Sequence, residues 1–384
     1  MVLARDSARY FERTLPNIRG VADELVIGVD SLSRDDSAEV AKRFADRVIH
    51  FPHASILPGA SGAGTGVDDL LLPQCSGDWI LRVDHDETLG PEWLDQGLLE
   101  SILSDRRMTH AFVPRRWVVA DGESYLSGRH WHPDGSKRLL RNIPSLIRMP
   151  SEWHQEIRCA GEASYLAELY IVHWSNLWTT RAERVARSCY YANQGTYSSH
   201  EFYLYEHQPY ALRPLFEPLP DPRFDVEYPA TADPRFRVSL RVLRAPETIL
   251  AGDMEPVLIG IHNGSERPLR PDSDLVQTRG LSLTCHWWRE PPGTEPVISE
   301  SQHWPLPKSI LPGEYALAWT RIRAPQQPGL YRVGLDLIQE NVCWFGQYVD
   351  MPAFAVNVLA REDEDWFPDL PEKLRPLRPY PKQA

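Results

Sequence analysis

The chain has 384 residues, of which 42% are hydrophobic and 24% charged, and its formal net charge is -12. This length favours about two globular domains, and the composition is not that of a disordered protein. Because binding to phosphate backbones relies on clustered lysine and arginine, we expect no nucleic-acid partner. The sequence has no run of about 18 apolar residues and no secretory leader, so it predicts no integral membrane segment. We therefore expect the protein to be cytoplasmic, either free or peripherally attached to the inner face of the membrane.

Residues 1–212 alternate short apolar strands with amphipathic helices. A strand at residues 1–4 precedes a helix at residues 7–19, and strands at residues 25–29 and 48–51 flank a second helix. Repeated units of this kind predict an α/β, Rossmann-like domain with a mostly parallel sheet. Ligands of such sheets bind at the carboxyl ends of the strands.

The second part of the chain has a different composition. Residues 213–235 contain six prolines and predict a linker. Residues 236–359 predict an all-β, immunoglobulin-like sandwich, and residues 360–384 an acidic, proline-rich tail. The predicted strands are 236–243, 256–262, 280–288, 314–322, 329–338 and 353–359.

Aromatic residues are frequent in the predicted sandwich. Their two interpretations are a hydrophobic core and a platform on which sugar rings stack. The residues concerned are Trp287, Trp288, Trp304, Trp319, Trp344 and Phe345. We also expect this domain to be the surface through which any homo-oligomer forms.

Acidic residues stand where two of the apolar strands end. Asp30 ends the second strand, and Asp84 and Asp86 follow the strand of residues 79–83 within the sequence GDWILRVDHDE. Carboxylates can hold a hard divalent cation, which also binds substrate phosphates. The pattern therefore predicts Mn²⁺ or Mg²⁺ beside a diphosphate, although Asp-x-Asp taken alone is also common in solvated turns.

These segments together resemble family 2 inverting glycosyltransferases of the GT-A fold, particularly bacterial enzymes of lipopolysaccharide-core type. The resemblance covers roughly residues 1–195. Residues 3–7 (LARDS) are similar to the opening strand of the family, residues 22–31 (ADELVIGVDS) to its second strand, and residues 77–87 to its Gly-Asp-Trp strand with Asp-x-Asp. The resemblance implies transfer of a sugar from a nucleotide diphosphate sugar to a saccharide or lipid-linked acceptor in surface polysaccharide biosynthesis.

The resemblance also implies roles for individual residues. Asp6 and Asp30 would contact the nucleotide, and Asp84 the ribose or the metal ion. Asp86 would bind the metal ion together with His173, which lies in the sequence IVHW of residues 171–174. A packed histidine at a strand end is the alternative for His173.

An inverting reaction needs a general base that removes a proton from the acceptor hydroxyl. Residues 153–157 (WHQEI) resemble the His-Glu element of the family, which makes Glu156 the predicted base and His154 the second choice. The inserted Gln155 disturbs this correspondence, so two polar residues on a surface strand remain an alternative.

Two arginines precede this element, and one family feature is missing. Arg138 and Arg141 (RLLR) are predicted to bind the diphosphate, because guanidinium groups match phosphate oxygens. Residues 67–69 (VDD) stand where the family carries a phosphate-side arginine. This departure supports the alternative of a catalytically inactive GT-A carbohydrate-binding or scaffold protein. A nucleotidyltransferase is a third hypothesis, but its glycine-rich basic signature near the first strand is not found.

Overall fold

A computed structural model describes residues 1–52, 68–119, 121–128, 131–149, 157–193, 203–207, 210–271, 280–291, 296–298, 303–340 and 342–361. The protein is a mixed α/β structure whose amino-terminal part combines helices with sheets and whose carboxy-terminal part consists mainly of strands. Both candidates for the general base, His154 and Glu156, lie outside the described residues. No helix within the described ranges is long and apolar enough to span a membrane.

The amino-terminal part contains fourteen strands and six α-helices among the described residues. The strands are β1 Val2–Ala4, β2 Val26–Asp30, β3 Arg47–Phe51, β4 Trp79–Leu81, β5 Val83–Asp84, β6 Glu87–Leu89, β7 Met108–Trp117, β8 Ser124–Ser127, β9 Asp134–Arg141, β10 Ile147–Arg148, β11 Arg158–Cys159, β12 Glu162–Tyr165, β13 Ile171–His173 and β14 Ala211–Pro214. The helices are α1 Ala8–Arg19, α2 Ser37–Lys42, α3 Asp68–Leu71, α4 Gln96–Leu103, α5 Ser175–Trp178 and α6 Arg181–Asn193.

Two sheets organise this part. The first has the order β3-β2-β1-β5, and all of its strand pairs are parallel, as the repeated strand-helix pattern predicts. The second has the order β4-β9-β7-β13-β6 with β12 beside β7, and it mixes parallel with antiparallel pairs. The prediction of a mostly parallel sheet therefore describes the first sheet, whereas β4, β6 and β9 run against their neighbours in the second. The predicted single strand of residues 79–83 is wrong: β4 pairs with β9 in the second sheet, and only β5 pairs with β1 in the first.

Helix α1 covers the first sheet with one apolar face. Its buried residues Phe11, Leu15 and Ile18 follow helical spacing and share a hydrophobic core with β1 and β2. On the sheet, Gly28 leaves room for Leu71, because a Cβ atom there would lie 2.8 Å from the Leu71 Cδ1 atom. A larger residue at this position would therefore require the Leu71 side chain to move.

The carboxy-terminal part contains nine strands among the described residues, including all six that the sequence predicts, with ends that differ by two residues at most. They are β15 Val238–Arg244, β16 Thr248–Leu250, β17 Met254–Asn263, β18 Leu281–Arg289, β19 Trp304–Pro305, β20 Tyr315–Arg323, β21 Gly329–Gln339, β22 Cys343–Trp344 and β23 Ala353–Leu359. A three-stranded sheet (β15-β17-β20) and a six-stranded sheet (β16-β23-β21-β18-β19 with β22) contribute side chains to one core.

Most aromatic residues of this part serve packing. Trp287, Trp319 and Phe345 are buried, and the half-buried Trp304 donates from its indole nitrogen to the carbonyl of Arg321. Trp288 and Trp344 are also half-buried. Of the six aromatic residues, only three therefore have partly accessible side chains.

The two parts of the chain share a hydrophobic interface. Trp319 and Leu317 of β20 pack with Leu258 of β17 and with Ala167 of the amino-terminal part. The Trp319 ring also meets the His132 ring edge to face, at 4.7 Å between centroids. Between the parts, the stretch from Leu215 to Asp233 has no helix or strand, although β14 just before it pairs with β8.

Replacing Trp319 by alanine should lower the free energy of unfolding by about 3–5 kcal/mol, because a large buried side chain would leave a cavity between the two parts. Urea unfolding followed by circular dichroism measures this change. Phe216, which is 64% exposed, is the matched control, and its replacement by alanine should cost no more than about 0.5 kcal/mol. Equal losses for both variants would contradict a packed interface.

Candidate functional site

The acidic residues of the first sheet lie at one edge and on one face. Leu3 of β1 pairs with both Gly28 and Asp84, so these three side-chain positions share a face. Asp30, two residues after Gly28, lies on that face as well. From the strand spacing and the rise along a strand, the Cα atoms of Asp30 and Asp84 are about 12 Å apart. The predicted convergence of the two strand ends is therefore geometrically consistent.

Asp30 and Asp6 are neighbours at the ends of β2 and β1. The Asp30 carboxylate is buried, accepts a hydrogen bond from the Leu32 backbone N–H at 2.8 Å, and lies 3.7 Å from the Arg5 guanidinium. Asp6 has a φ angle of +47°, which is strained for a residue other than glycine. Its carboxylate accepts a hydrogen bond from the Arg34 backbone N–H at 2.6 Å. A half-exposed aspartate thus borders a buried one.

Arg138 binds two carboxylates at the end of β5. Its Nη2 atom donates to Asp84 at 2.9 Å and to Glu87 at 2.8 Å, and its side chain is only 2% exposed. Glu87 is fully buried and also accepts a hydrogen bond from the Asp84 backbone N–H at 2.8 Å. Arg138, Asp84 and Glu87 therefore form a compact buried charge cluster.

Burial and charge act differently on the two acids of this cluster. Burial raises the pKa of Asp84, but Arg138, Arg82 and Arg115 outweigh it and hold the pKa well below its usual range. For Glu87, burial is the stronger effect and raises the pKa to about 7, against the attraction of Arg138. Asp84 is therefore the acid that stays ionised at neutral pH.

Asp86 and His173 form a second pair beside this cluster. The Asp86 Oδ1 atom lies 3.8 Å from the His173 Nε2 atom, and both side chains are nearly buried. Strand β13 places His173 opposite Glu87, because these two residues are register partners. The His173 Nδ1 atom faces the Ser175 backbone N–H at 3.4 Å, which leaves Nε2 directed towards Asp86.

The pair has the charge state that a metal ligand set needs. Burial lowers the pKa of His173 to about 4, so the imidazole is neutral at neutral pH. Burial alone would raise the pKa of Asp86, but His173, His85 and Arg187 lower it below its usual value. The Asp86 carboxylate suits a hard divalent cation. With Nδ1 accepting from the Ser175 N–H, the proton of the neutral His173 ring is on Nε2, so His173 would bind a cation through Nε2 only as the other tautomer, without that contact.

The donor set fits the predicted Mn²⁺ or Mg²⁺ in part. The described residues donate no hydrogen bond to the Asp86 carboxylate, although it is only 4% exposed. A buried carboxylate without such a donor is suited to a cation. Asp84 is placed differently, because Arg138 binds it. Within the described ranges no three His, Cys, Asp or Glu residues form a metal-binding group, so Asp86 and His173 would supply two ligands, and water and substrate phosphate the rest.

Two residues of this site, Glu87 and Arg187, were not predicted from the sequence. Glu87 follows directly on Asp-x-Asp, and its place in that motif could have indicated it. Arg187 belongs to helix α6, where no local motif marks it; it lies 3.9 Å from Asp86 and donates to the Ser175 hydroxyl at 2.9 Å. Its guanidinium is partly exposed beside the pair, at a position where an anion could bind.

Arg141 lies away from this cluster. Its guanidinium donates to the backbone carbonyls of Met108 and Asp105 and stacks on Trp79 at 4.4 Å. Arg138 lies at a register shift of β9 against β7, between the paired residues Lys137 and Leu139, and its contacts place it with Asp84 and Glu87. The structure therefore brings together Asp84, Asp86, Arg138 and His173, and leaves Arg141 as a packing residue.

Comparison with known proteins gives partial matches. No family model matches the chain. Uncharacterized glycosyltransferases of Rickettsia bellii and Rickettsia felis are each 30% identical over 95 residues, which is 25% of this chain. The matched region is 29% of the length of the Rickettsia bellii protein and 30% of the length of the Rickettsia felis protein. An uncharacterized glycosyltransferase of Rickettsia prowazekii is 26% identical to this chain, also over 95 residues.

Two solved structures have low overall similarity to the chain. S. aureus TarS, residues 1–349, in complex with UDP covers 54% of this chain and 69% of its own length, with 12% identity and a TM-score of 0.32. The CARDB domain of a Pyrococcus furiosus protein in complex with di-metal ions covers 35% of this chain, with 13% identity and a TM-score of 0.23. Scores of this size do not establish a shared fold. A part of the chain is thus similar in sequence to proteins named as glycosyltransferases.

Proposed function

We propose that the protein is a metal-dependent, inverting glycosyltransferase of GT-A type that transfers a sugar from a nucleotide diphosphate sugar to a saccharide or lipid-linked acceptor. The observation that carries the proposal is the buried Asp86–His173 pair next to the arginine-bound Asp84, at the same sheet edge as Asp30. The partial sequence similarity to uncharacterized glycosyltransferases supports the same class of reaction.

Different residues of the site would contact different parts of the nucleotide-sugar donor. Asp6 and Asp30 would contact the nucleoside, because carboxylates accept hydrogen bonds from a base or a ribose. Asp6 is exposed, whereas the Asp30 side chain is buried and would have to become accessible when the nucleoside binds. Asp84 lies about 12 Å along the same face, within reach of the ribose or of the diphosphate. Arg138 holds Asp84 ionised and fixed in direction, which prepares the site before the donor arrives.

Asp86 and His173 would hold the cation, and Arg187 would face the anionic end of the donor. The cation, when bound, would neutralise charge on the leaving diphosphate. Arg187 carries a guanidinium beside the same position and can donate to phosphate oxygens. This arrangement offers an alternative to the phosphate-side arginine that the sequence lacks at residues 67–69.

The general base stays a prediction from sequence, with Glu156 first and His154 second, since both lie outside the described residues. The inactive carbohydrate-binding or scaffold protein remains the alternative hypothesis. Its chemistry would need neither the Asp86–His173 pair nor a cation. Donor turnover separates the two hypotheses.

The decisive experiment is a screen of nucleotide sugars for release of free nucleoside diphosphate, with 5 mM Mn²⁺, with 5 mM Mg²⁺, and with excess EDTA. We expect at least one donor to be hydrolysed with a divalent cation and the rate to fall by about a hundredfold or more with EDTA, because the cation stabilises the leaving group. Calorimetry with the same donors measures binding. Metal-independent donor binding without turnover would instead favour the inactive scaffold.

A further inference from the structure

The two parts of the chain are joined by a polar contact as well as by the hydrophobic interface. Arg321 and Trp319 are two residues apart on β20 and therefore project from the same face of that strand. Trp319 meets His132, and the Arg321 guanidinium donates to the carbonyl of Pro133. Both side chains of the carboxy-terminal part thus reach the short segment that opens β9.

Asp134 follows directly in this segment and is the acceptor of two further hydrogen bonds. Its Oδ2 atom accepts from the Arg115 Nη2 atom at 2.7 Å and from the Trp117 Nε1 atom at 2.9 Å. Burial raises the pKa of Asp134, but the charges of Arg115 and Arg321 and the bond from Trp117 lower it below its usual value. The carboxylate is therefore ionised, with an arginine from each part of the chain nearby.

Both residues that donate hydrogen bonds to Asp134 also contact residues of the candidate site. The Arg115 Nη1 atom lies 3.8 Å from Glu87, which shares Arg138 with Asp84. The Trp117 ring stacks on the His173 ring at 3.9 Å between centroids and 26° between planes. One carboxylate thus fixes a cation beside Glu87 and an indole against His173.

We infer that Arg321 is a positioning residue for the donor site, which it controls through Asp134, Arg115 and Trp117. Without Arg321, the Pro133 carbonyl would lose its side-chain donor and Asp134 the nearby charge of Arg321, so Asp134 would shift together with Arg115 and Trp117. The site would keep its ligands but lose their fixed directions. The carboxy-terminal part is then a component of the donor site and not an independent appendage.

The inference rests on the proposed function for its kinetic test. Arg321→Met should raise KM for the donor by about tenfold while kcat stays within about threefold, as expected when support for binding residues is lost. Arg321→Lys keeps the charge, so its KM for the donor should return at least half of the way to the wild-type value on a logarithmic scale. The control is Arg323→Met: Arg323 is exposed on the same strand, contacts Met254, and should leave both constants unchanged.

These readouts separate positioning from a purely structural role. A variant that is only less stable has a smaller active fraction, which lowers kcat and leaves KM unchanged. An unchanged KM in Arg321→Met, or the same change in Arg323→Met, would therefore overturn the inference.

A second measurement needs no donor and so remains valid if the proposed function fails. In a double-mutant cycle, the effects of Arg321→Met and Asp134→Asn on the unfolding constant should be non-additive by about fivefold or more, because Arg321 bonds the carbonyl next to Asp134 and its charge stabilises the Asp134 carboxylate. Additive effects within about twofold would refute the link between Arg321 and Asp134, whether or not the protein turns over a nucleotide sugar.

Discussion

Asp86→Asn should reduce cation-dependent release of nucleoside diphosphate by at least about a hundredfold, because asparagine keeps the shape of the side chain but not its charge. The folded state should persist, since the described residues donate no hydrogen bond to the Asp86 carboxylate that the variant would lose. Donor turnover at saturating Mn²⁺ measures the effect, and circular dichroism and the unfolding midpoint check the fold.

The control for this variant is Asp36→Asn. Asp36 is exposed at the start of α2, and its side chain makes no capping hydrogen bond, so it matches the change in net charge without touching the site. It should retain full turnover. If Asp86→Asn retained wild-type activity at every Mn²⁺ concentration, Asp86 would not be a ligand of the catalytic cation.

Arg138→Met should lower the free energy of unfolding by about 3–5 kcal/mol, because it leaves the buried Glu87 and the partly buried Asp84 without their shared cation. Donor binding should be lost as well, since Asp84 would no longer be held in place. Urea unfolding and calorimetry with the best donor measure the two effects separately.

A double variant isolates the electrostatic cause. Without Arg138 the pKa of Glu87 would rise further, so the buried carboxyl would have to take up a proton on folding. Glu87→Gln in the Arg138→Met background removes this cost and should restore at least half of the lost stability, but it should not restore donor binding. The exposed Arg148 is the control, and Arg148→Met should change neither quantity. If Arg138→Met were as stable as the wild type, the charges of Glu87 and Asp84 would not depend on Arg138.

The sequence predicted the parallel sheet and its strand ends because these depend on local patterns. Apolar strands followed by Asp30 and by Asp84 stand out in the sequence, and a parallel sheet brings such ends to the same edge. The predicted strands of residues 236–359 were found for the same reason, since alternation and turn residues are local features.

The remaining features depend on contacts between distant residues. Arg138 and Arg141 are the same residue type on one strand, and the β-bulge at Arg138 together with its contacts to Asp84 and Glu87 separates the arginine of the site from the one that stacks on Trp79. Arg187 reaches Asp86 from a helix 101 positions later in the chain, and Arg321 reaches Pro133 across 188 positions. No short pattern encodes contacts of that range, so only the tertiary structure reveals them.

Gly28 limits how this site could change during evolution. Any side chain at this position would press against Leu71 on the face that also carries Asp30 and Asp84, so a substitution of Gly28 would require Leu71 to move as well. Preference for another base or another sugar would therefore have to arise from substitutions in the loops beyond the strand ends. The interior of the sheet would stay constant while the donor changed.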